Sequence, residues 1–193
     1  MTFGSFNNFS KVNDRVIELW AEVLNRVAGS HLLLKANGLD QQSVQTRVRE
    51  AFARFGIAAE RIVMTGKQLM TAEHLARYHD VDIALDTFPY NGTTTTCEAL
   101  WMGVPVVTLA GDTHMSRVGV SLLSSIGLGR LVAQDSQSYV KAAAELAGDL
   151  EELARLRTSL RETIERSALR DEKGFTKDLE AALRNVWREW CAR

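Results

Sequence analysis

Short apolar runs alternate with amphipathic helical patterns through the first two-thirds of this 193-residue chain. The alternation predicts an α/β fold, a doubly wound parallel sheet covered by helices, because a strand followed by a helix returns to pair in parallel with a neighbour. We assign residues 1–134 to this lobe. Its strands are expected near Thr2–Phe6, His31–Ala36, Arg61–Thr65, Asp82–Asp86, Pro105–Leu109 and Arg130–Val132. Its helices are expected near Asp14–Val27, Gln42–Phe55, Ala72–Tyr78, Thr96–Met102 and Ser116–Ile126.

From residue 135 onward the pattern is helical, and residues 135–193 are predicted to form a C-terminal helical extension that packs on the lobe. Its helices are expected near Tyr139–Leu146, Leu150–Ile164 and Phe175–Trp190. The last helix repeats apolar residues on one face, which is costly to leave in water. Two interpretations stay open: this face packs on the lobe's own sheet, or Trp187 and Trp190 dock against another domain or subunit.

The charge balance gives no bulk reason to bind nucleic acid or a membrane, since 23 basic side chains face 24 acidic ones and the net charge is -1. We therefore expect small-molecule or protein partners. No apolar run approaches the roughly 20 residues of a membrane-spanning helix, and the first residues lack a signal-peptide core. Cys97 and Cys191 match no metal spacing or disulfide framework. These features favour a cytoplasmic protein.

Residues 81–109 hold the motif that most strongly indicates a ligand. A short apolar strand ends at Asp86, Asn91 and Gly92 supply turn chemistry, and four consecutive threonines, residues 93–96, open a helix. The first amides of a helix have no internal partner and lie at the positive end of the helix dipole. The motif therefore predicts a site for an anion such as a phosphate group.

The same threonines have a purely structural interpretation. Thr95 and Glu98 fit the Ser/Thr-x-x-Glu capping box, in which a hydroxyl and a carboxylate satisfy the helix start without a ligand. One threonine suffices for that motif, and β-branched residues are mediocre helix formers. The other three threonines therefore favour ligand binding.

Ligands of open parallel sheets bind beyond the carboxyl ends of the strands, where successive loops converge. Three predicted loops meet there, and they are residues 7–11, 66–74 and 87–96. Lys11 could add a positive charge at the anion site, and the alternative is a solvated surface lysine. His74 and Arg77, three apart on one short helix, could stack on and hydrogen-bond a heterocyclic base, or be ordinary exposed polar residues.

The stretch LDTFPYNGTTTTCEALWMGVPVVTLAGDTHMSRVGVSLLSSIGL closely resembles the C-terminal catalytic lobe of the O-GlcNAc transferase and SPINDLY family of protein O-glycosyltransferases, particularly its bacterial members. The similarity extends from Phe6 to about Trp187. It implies a GT-B glycosyltransferase, in which two Rossmann-like lobes hold a nucleotide-sugar donor between them and transfer the sugar to Ser or Thr of proteins. This chain would be the donor-binding lobe.

The resemblance also implies roles for individual residues. Lys11 matches the family lysine that meets the donor diphosphate, which gives it the catalytic role of stabilising the leaving group. Glu98 stands in the place of an acidic residue that holds the ribose hydroxyls. The other implied donor-binding residues are Asn8, where a glutamine is common, the base-contacting His74 and Arg77, and Thr93, Thr94 and Thr95 at the helix start.

Two departures from the family pattern leave the donor open. Thr71 stands where animal members have a base-contacting lysine, and Thr93 replaces a histidine. The resemblance favours UDP-GlcNAc, with GDP-fucose as the alternative. The other implied partners are an acceptor protein recruited by upstream tetratricopeptide repeats and an N-terminal catalytic lobe. This chain alone should be inactive, and no metal or other cofactor is expected, because Lys11 and the helix amides would stabilise the departing diphosphate.

Two other classes of protein share features with these residues. A receiver-like signalling domain would use Asp86 as phosphoacceptor, but it requires an acidic pair after the first strand, where this chain has Asn7 and Asn8. A GT-B-like lobe kept only for binding or scaffolding is compatible with the same motifs, and activity in the intact protein would separate it from an enzyme.

Overall fold

A computed structural model of the chain describes residues 1–66 and 70–192. Within these residues one sheet of six strands has the order β3-β2-β1-β4-β5-β6, and every neighbouring pair is parallel. The strands are β1 Thr2–Ser5, β2 His31–Lys35, β3 Ile62–Thr65, β4 Ile83–Leu85, β5 Val106–Leu109 and β6 Val132–Ala133. The order reverses direction between β1 and β4, as in doubly wound nucleotide-binding folds, so the predicted fold class is confirmed.

Eight α-helices connect and extend the strands within the described ranges. They are α1 Asp14–Arg26, α2 Gln42–Ala53, α3 Thr71–Ala76, α4 Thr94–Trp101, α5 Val118–Ser125, α6 Ser136–Gly148, α7 Leu150–Glu165 and α8 Glu172–Cys191. Most predicted elements lie within a few residues of these bounds. The expected strand near Arg130–Val132 is shorter, because Arg130 belongs to the 3-10 turn Gly129–Leu131 and only two residues pair with β5.

The core joins the lobe to the first part of the C-terminal extension. Trp20 on α1 is fully buried, as its place in the apolar stripe predicts. Its indole Nε1 donates to the hydroxyl of Tyr139 on α6 at 3.3 Å. The Tyr139 hydroxyl in turn donates to the carbonyl oxygen of Asp86 at 3.1 Å. Helix α6 therefore packs on α1 and holds the end of β4 in place.

Helix α8 behaves differently from α6 and α7, because none of its residues is buried. Its apolar side chains are all exposed, and Trp187 and Trp190 expose 65% and 68% of their surface. The interpretation that this face packs on the lobe's own sheet is therefore wrong. Docking against another domain or subunit stays a prediction. Among the residues that the structure describes, no helix combines the length and the apolar character needed to cross a bilayer.

Candidate functional site

The candidate site lies where the carboxyl ends of β1 and β4 meet. These two strands pair directly, with Gly4 opposite Ala84. The loops that leave them run side by side over the edge of the sheet, and the loop after β4 leads into α4. Two of the three predicted loops, residues 7–11 and 87–96, are thus brought together. Part of the third, residues 67–69, lies outside the described residues.

The start of α4 presents unpaired backbone donors. Thr93 is the residue before the first helical turn, and its side chain makes no capping hydrogen bond within the part of the chain that the structure describes. The first intrahelical bond recorded here runs from the Cys97 amide to the Thr93 carbonyl at 3.0 Å. Among the described residues, no hydrogen bond is recorded for the amides of residues 93–96, and the side chains of Thr93 and Thr94 are exposed. This helix tip has the donors and the dipole of an anion site.

The capping box considered for Thr95 and Glu98 does not form. The Thr95 hydroxyl donates instead to Oδ1 of Asn7 at 2.8 Å, which ties the helix start to the loop after β1. Glu98 points away from the tip, towards His74 on α3. The helix start is therefore held by side chains from other elements, and its own amides stay available.

Lys11 lies beside this tip, in the 3-10 turn Phe9–Lys11. Its Nζ donates to the carbonyl oxygen of Asn91 at 2.9 Å and lies 3.9 Å from the centroid of the Tyr90 ring. Burial lowers the pKa of Lys11 below its usual range, and the nearby carboxylate of Asp86 opposes that shift. Lys11 is half-buried against the loop that leads to the helix, so the alternative of a freely solvated lysine is wrong.

Asn8, predicted to bind the donor, has a local role in this structure. Its side chain is exposed, and its oxygen accepts from the Ser10 amide at 3.1 Å, which caps the 3-10 turn. The neighbouring Asn7 is buried and lies between Ser5, Asp86 and Thr95. Sequence reasoning missed Asn7. The adjacent polar pair was visible, but which member points inward depends on the path of the loop.

Asp86 is buried, and its carboxylate binds the backbone of the loop after β4. Its Oδ1 accepts from the amides of Gly92 at 2.7 Å and Thr87 at 2.9 Å, and its Oδ2 accepts from the Thr108 hydroxyl at 2.7 Å. Burial raises the pKa of this carboxyl to about 6, although the three hydrogen bonds and Lys11 pull in the opposite direction. The carboxylate fixes the path of the chain just before the threonine helix.

A second polar cluster lies on the other side of α4. The Nε2 of His74 lies 2.8 Å from Oε2 of Glu98, and the Tyr78 hydroxyl donates to the same oxygen at 3.3 Å. The buried Lys35 contacts Nδ1 of His74. Sequence reasoning found His74 and Glu98 but missed Lys35, whose only signal was a lysine at the end of the apolar run His31–Lys35.

Arg77 does not join His74 in that cluster. Its Nη1 pairs with Oδ2 of Asp80 at 2.7 Å, and its side chain is partly exposed. Its Nε is buried and has no hydrogen-bond partner among residues 1–66 and 70–192. Thr71, the position of a lysine in animal members, is exposed at the first residue of α3. The two predicted base-contacting residues thus have different partners. His74 lies in the cluster with Glu98, whereas Arg77 forms an ion pair with Asp80.

Comparison with models of protein families shows which family this chain belongs to. The model of glycosyl transferase family 41 matches residues 1–179. The chain belongs to glycosyl transferase family 41. A match over this much of the sequence places both polar clusters described above within a family 41 lobe.

The curated relatives agree with this family 41 assignment. The probable UDP-N-acetylglucosamine–peptide N-acetylglucosaminyltransferase SPINDLY of Oryza sativa subsp. japonica is 44% identical over 191 residues, which are 99% of this chain and 21% of that protein. The UDP-N-acetylglucosamine–peptide N-acetylglucosaminyltransferase of Caenorhabditis elegans is 30% identical over 98% of this chain and 16% of its own length. The chain thus spans about a fifth or less of these relatives.

Solved structures place the family 41 lobe among GT-B folds. A mutant of the Thermobaculum terrenum O-GlcNAc transferase superposes with a TM-score of 0.91 at 42% identity, covering 98% of this chain and 36% of that one. Anabaena HepE in complex with UDP and glucose superposes with a TM-score of 0.62 at 15% identity, which shows the fold alone. The resemblance to the O-GlcNAc transferase and SPINDLY family is confirmed, whereas the roles of individual residues stay predictions.

Proposed function

We propose that this chain is the donor-binding lobe of a protein O-glycosyltransferase, and that it binds a nucleotide sugar at the start of α4. The observation that carries the proposal is the threonine-rich helix tip, whose amides make no recorded hydrogen bond within the described ranges and lie at the point where the sheet order reverses. The sugar would pass to a Ser or Thr hydroxyl of an acceptor protein.

The donor diphosphate would lie between the helix tip and Lys11. In glycosyl transfer the bond from the sugar to the diphosphate breaks, and negative charge grows on the departing phosphate oxygen. Preorganised donors aimed at such a charge lower the barrier, and loss of one typically costs about 3 kcal/mol of transition-state stabilisation. Lys11 supplies a positive charge, and Thr93 and Thr94 supply exposed hydroxyls beside the amides. In this proposal the protein neutralises the leaving group without a metal ion.

The nucleoside would lie along the side of α4 that carries Glu98, next to His74. Both ring nitrogens of His74 are engaged, one by Glu98 and one by Lys35. His74 would therefore offer the face of its ring to a base, and the hydrogen bonds to the nucleoside would come from Glu98. Carboxylates accept hydrogen bonds from sugar hydroxyls.

UDP-GlcNAc is the donor that we favour. Its support is the name of the curated relatives, each a UDP-N-acetylglucosamine–peptide N-acetylglucosaminyltransferase or a probable one. GDP-fucose is the alternative, and Thr71 and Thr93, which depart from the animal pattern, keep it in the test. Because the chain spans only a fraction of its relatives, we propose that transfer requires a second lobe and that acceptor proteins are recruited outside this chain.

Calorimetric titration of the 193-residue chain with UDP, GDP, UDP-GlcNAc and GDP-fucose tests the proposal. We expect selective binding of the uridine nucleotides, unchanged by a metal chelator. A preference for the guanine nucleotides would transfer the proposal to fucose, and absence of binding to all four would contradict it.

Lys11→Met tests the diphosphate site. Hydrogen bonds to charged groups contribute about 1.5–3 kcal/mol, so we expect UDP to bind at least about tenfold more weakly. Lys141→Met is the matched control, because Lys141 is an exposed lysine on α6 that pairs with Glu145 at the surface. Equal affinity of the Lys11 variant and this control would remove Lys11 from the site.

A further inference from the structure

A buried lysine lies behind the candidate nucleoside site. Lys35, the last residue of β2, is only 3% exposed. Its Nζ contacts Nδ1 of His74, lies 3.4 Å from the His74 carbonyl oxygen and stands 4.5 Å from the centroid of the Phe6 ring. In the described part of the chain, these contacts are to an imidazole, a carbonyl and a ring face, and none is to a carboxylate.

The chemistry of the ammonium fixes the direction of the hydrogen bonds around it. A charged lysine can only donate, so Nδ1 of His74 must accept. The proton of the neutral imidazole is then on Nε2, which donates to Oε2 of Glu98 at 2.8 Å. Lys35, His74 and Glu98 form a relay in which each group donates towards the carboxylate.

The relay leaves one oxygen of Glu98 for a ligand. Oε2 accepts from His74 and also from the Tyr78 hydroxyl, whose single proton is shared with the carbonyl oxygen of Thr95. No hydrogen bond of Oε1 to another described residue is recorded, and the Glu98 side chain is 26% exposed. The carboxylate is thus held by one oxygen, and the other oxygen of this partly exposed side chain makes no hydrogen bond to a described residue.

We propose that Lys35 is a positioning residue for the nucleotide donor: through His74 it holds the Glu98 carboxylate so that its free oxygen accepts a ribose hydroxyl. This inference rests on the proposed function. Lys35 does not touch the nucleotide, so it acts only through the residues in front of it. A lysine used for packing alone would have no effect on the recognition of the sugar hydroxyls.

The relay depends on the charge of Lys35. Burial lowers the pKa of Lys35 to about 8, with Glu98 opposing the shift and Arg77 adding to it. Several groups face Lys35. They are His74 from α3, Arg77 and Tyr78 from the 3-10 turn Arg77–Asp80, Glu98 from α4 and the Phe6 ring from the loop after β1. Lys35 is therefore charged at pH 7 and largely neutral well above pH 8, where it no longer has to donate to His74.

Paired nucleotides isolate the contribution of the ribose hydroxyls. We would titrate the chain, Lys35→Met and the control Lys141→Met with UDP, with 2′,3′-dideoxy-UDP and with inorganic pyrophosphate. GDP and its dideoxy analogue replace the uridine pair if the guanine nucleotide binds more tightly. The wild type and the control should prefer the ribonucleotide roughly tenfold, the ratio expected for one hydrogen bond to a charged group. In Lys35→Met this ratio should fall to about one, whereas pyrophosphate affinity should change less than about twofold.

Retention of the ribose preference by folded Lys35→Met would overturn the inference while leaving the proposed function intact. Failure of the wild type to bind either nucleoside diphosphate would overturn both. If the variant does not fold, as judged by circular dichroism, the wild type alone provides the test. Its ribose preference should fall between pH 7 and pH 9.5 with a midpoint near 8, because the base titrates equally in both nucleotides and cancels from the ratio. A ratio that is flat across this range would refute the role of Lys35.

Discussion

The free energy of unfolding of the wild type should fall as the pH rises, because Asp86 loses a proton, and Asp86→Asn should remove this fall. The carboxylate accepts from the amides of Gly92 and Thr87 and from the Thr108 hydroxyl. An asparagine in the same position keeps one oxygen for the two amides. Its NH2 group can donate to the Thr108 oxygen, since a hydroxyl also accepts. The substitution therefore removes the charge and preserves the connections.

The size of the effect follows from the pKa of Asp86. Burial raises it from the ordinary 3.8 to about 6, so the folded state holds a proton that the unfolded chain has already released. The stability given by this proton is fully present below pH 3.8 and is lost as the pH rises through 6. At 1.36 kcal/mol for each pH unit, the loss amounts to about 3 kcal/mol. Asp86→Asn has no such titration.

Urea unfolding of both proteins between pH 4 and pH 7.5 measures the effect. The free energy of unfolding of the variant, minus that of the wild type, should rise by about 2.5 kcal/mol across this range, because roughly 0.5 kcal/mol of the full change already lies below pH 4. Asp135→Asn is the control, and its difference from the wild type should stay nearly constant across this range. Asp135 is exposed at the start of α6, and hydrogen bonds from Ser138 lower its pKa, so its stabilisation is lost only as the pH falls below 3.8. A difference for Asp86→Asn that stays flat or falls with pH would refute the reasoning.

Three further predictions concern the packing of the lobe and of its last helix. A Cβ on Gly92 would lie 2.6 Å from Oγ1 of Thr95 and 2.7 Å from Oδ1 of Asn7, so Gly92→Ala should lower the free energy of unfolding by about 1–3 kcal/mol and weaken UDP binding. Gly148→Ala, where a Cβ would meet nothing within 4 Å, should do neither. Tyr139→Phe leaves the Trp20 indole and the Asp86 carbonyl without their hydroxyl partner and should cost about 1–3 kcal/mol in urea unfolding, whereas a cost near zero would contradict the role of these two hydrogen bonds. A chain ending at Asp171 should keep a melting temperature within about 3 °C of the full chain, because α8 buries no residue, and a much larger drop would show that α8 packs on the lobe.

Local sequence patterns were sufficient to predict the helices and strands and to predict the threonine-rich start of α4 in the candidate site. The apolar stripe around Trp20 marks the buried face of α1, and the turn at Asn91 and Gly92 followed by threonines marks the start of α4. Both are properties of residues a few positions apart. The unpaired amides of a helix start exist wherever the helix begins, so a phosphate site could be predicted there without coordinates.

The side chains that surround this helix were harder to predict. Glu98 fits a capping box by its spacing, yet it pairs with His74, which is 24 residues away. Asn7 and Lys35 come from loops and strands that the sequence places far from α4, and each was missed. A side chain that fits a short-range motif can also pair with any group that folding brings near. The spacing of residues along the sequence does not show which of these partners it takes.

The sequence by itself determined that this chain is an α/β lobe of the O-GlcNAc transferase and SPINDLY type, and it predicted an anion site at the helix opened by threonines. Tertiary structure decided the order of the strands, the burial of Lys35 behind His74 and Glu98, and the exposure of the aromatic face of α8. The physical reason is the distance along the sequence over which the residues interact. Helix starts and strand patterns arise from neighbouring residues, whereas the partners of a buried charge are set by crossovers that join strands 80 residues apart.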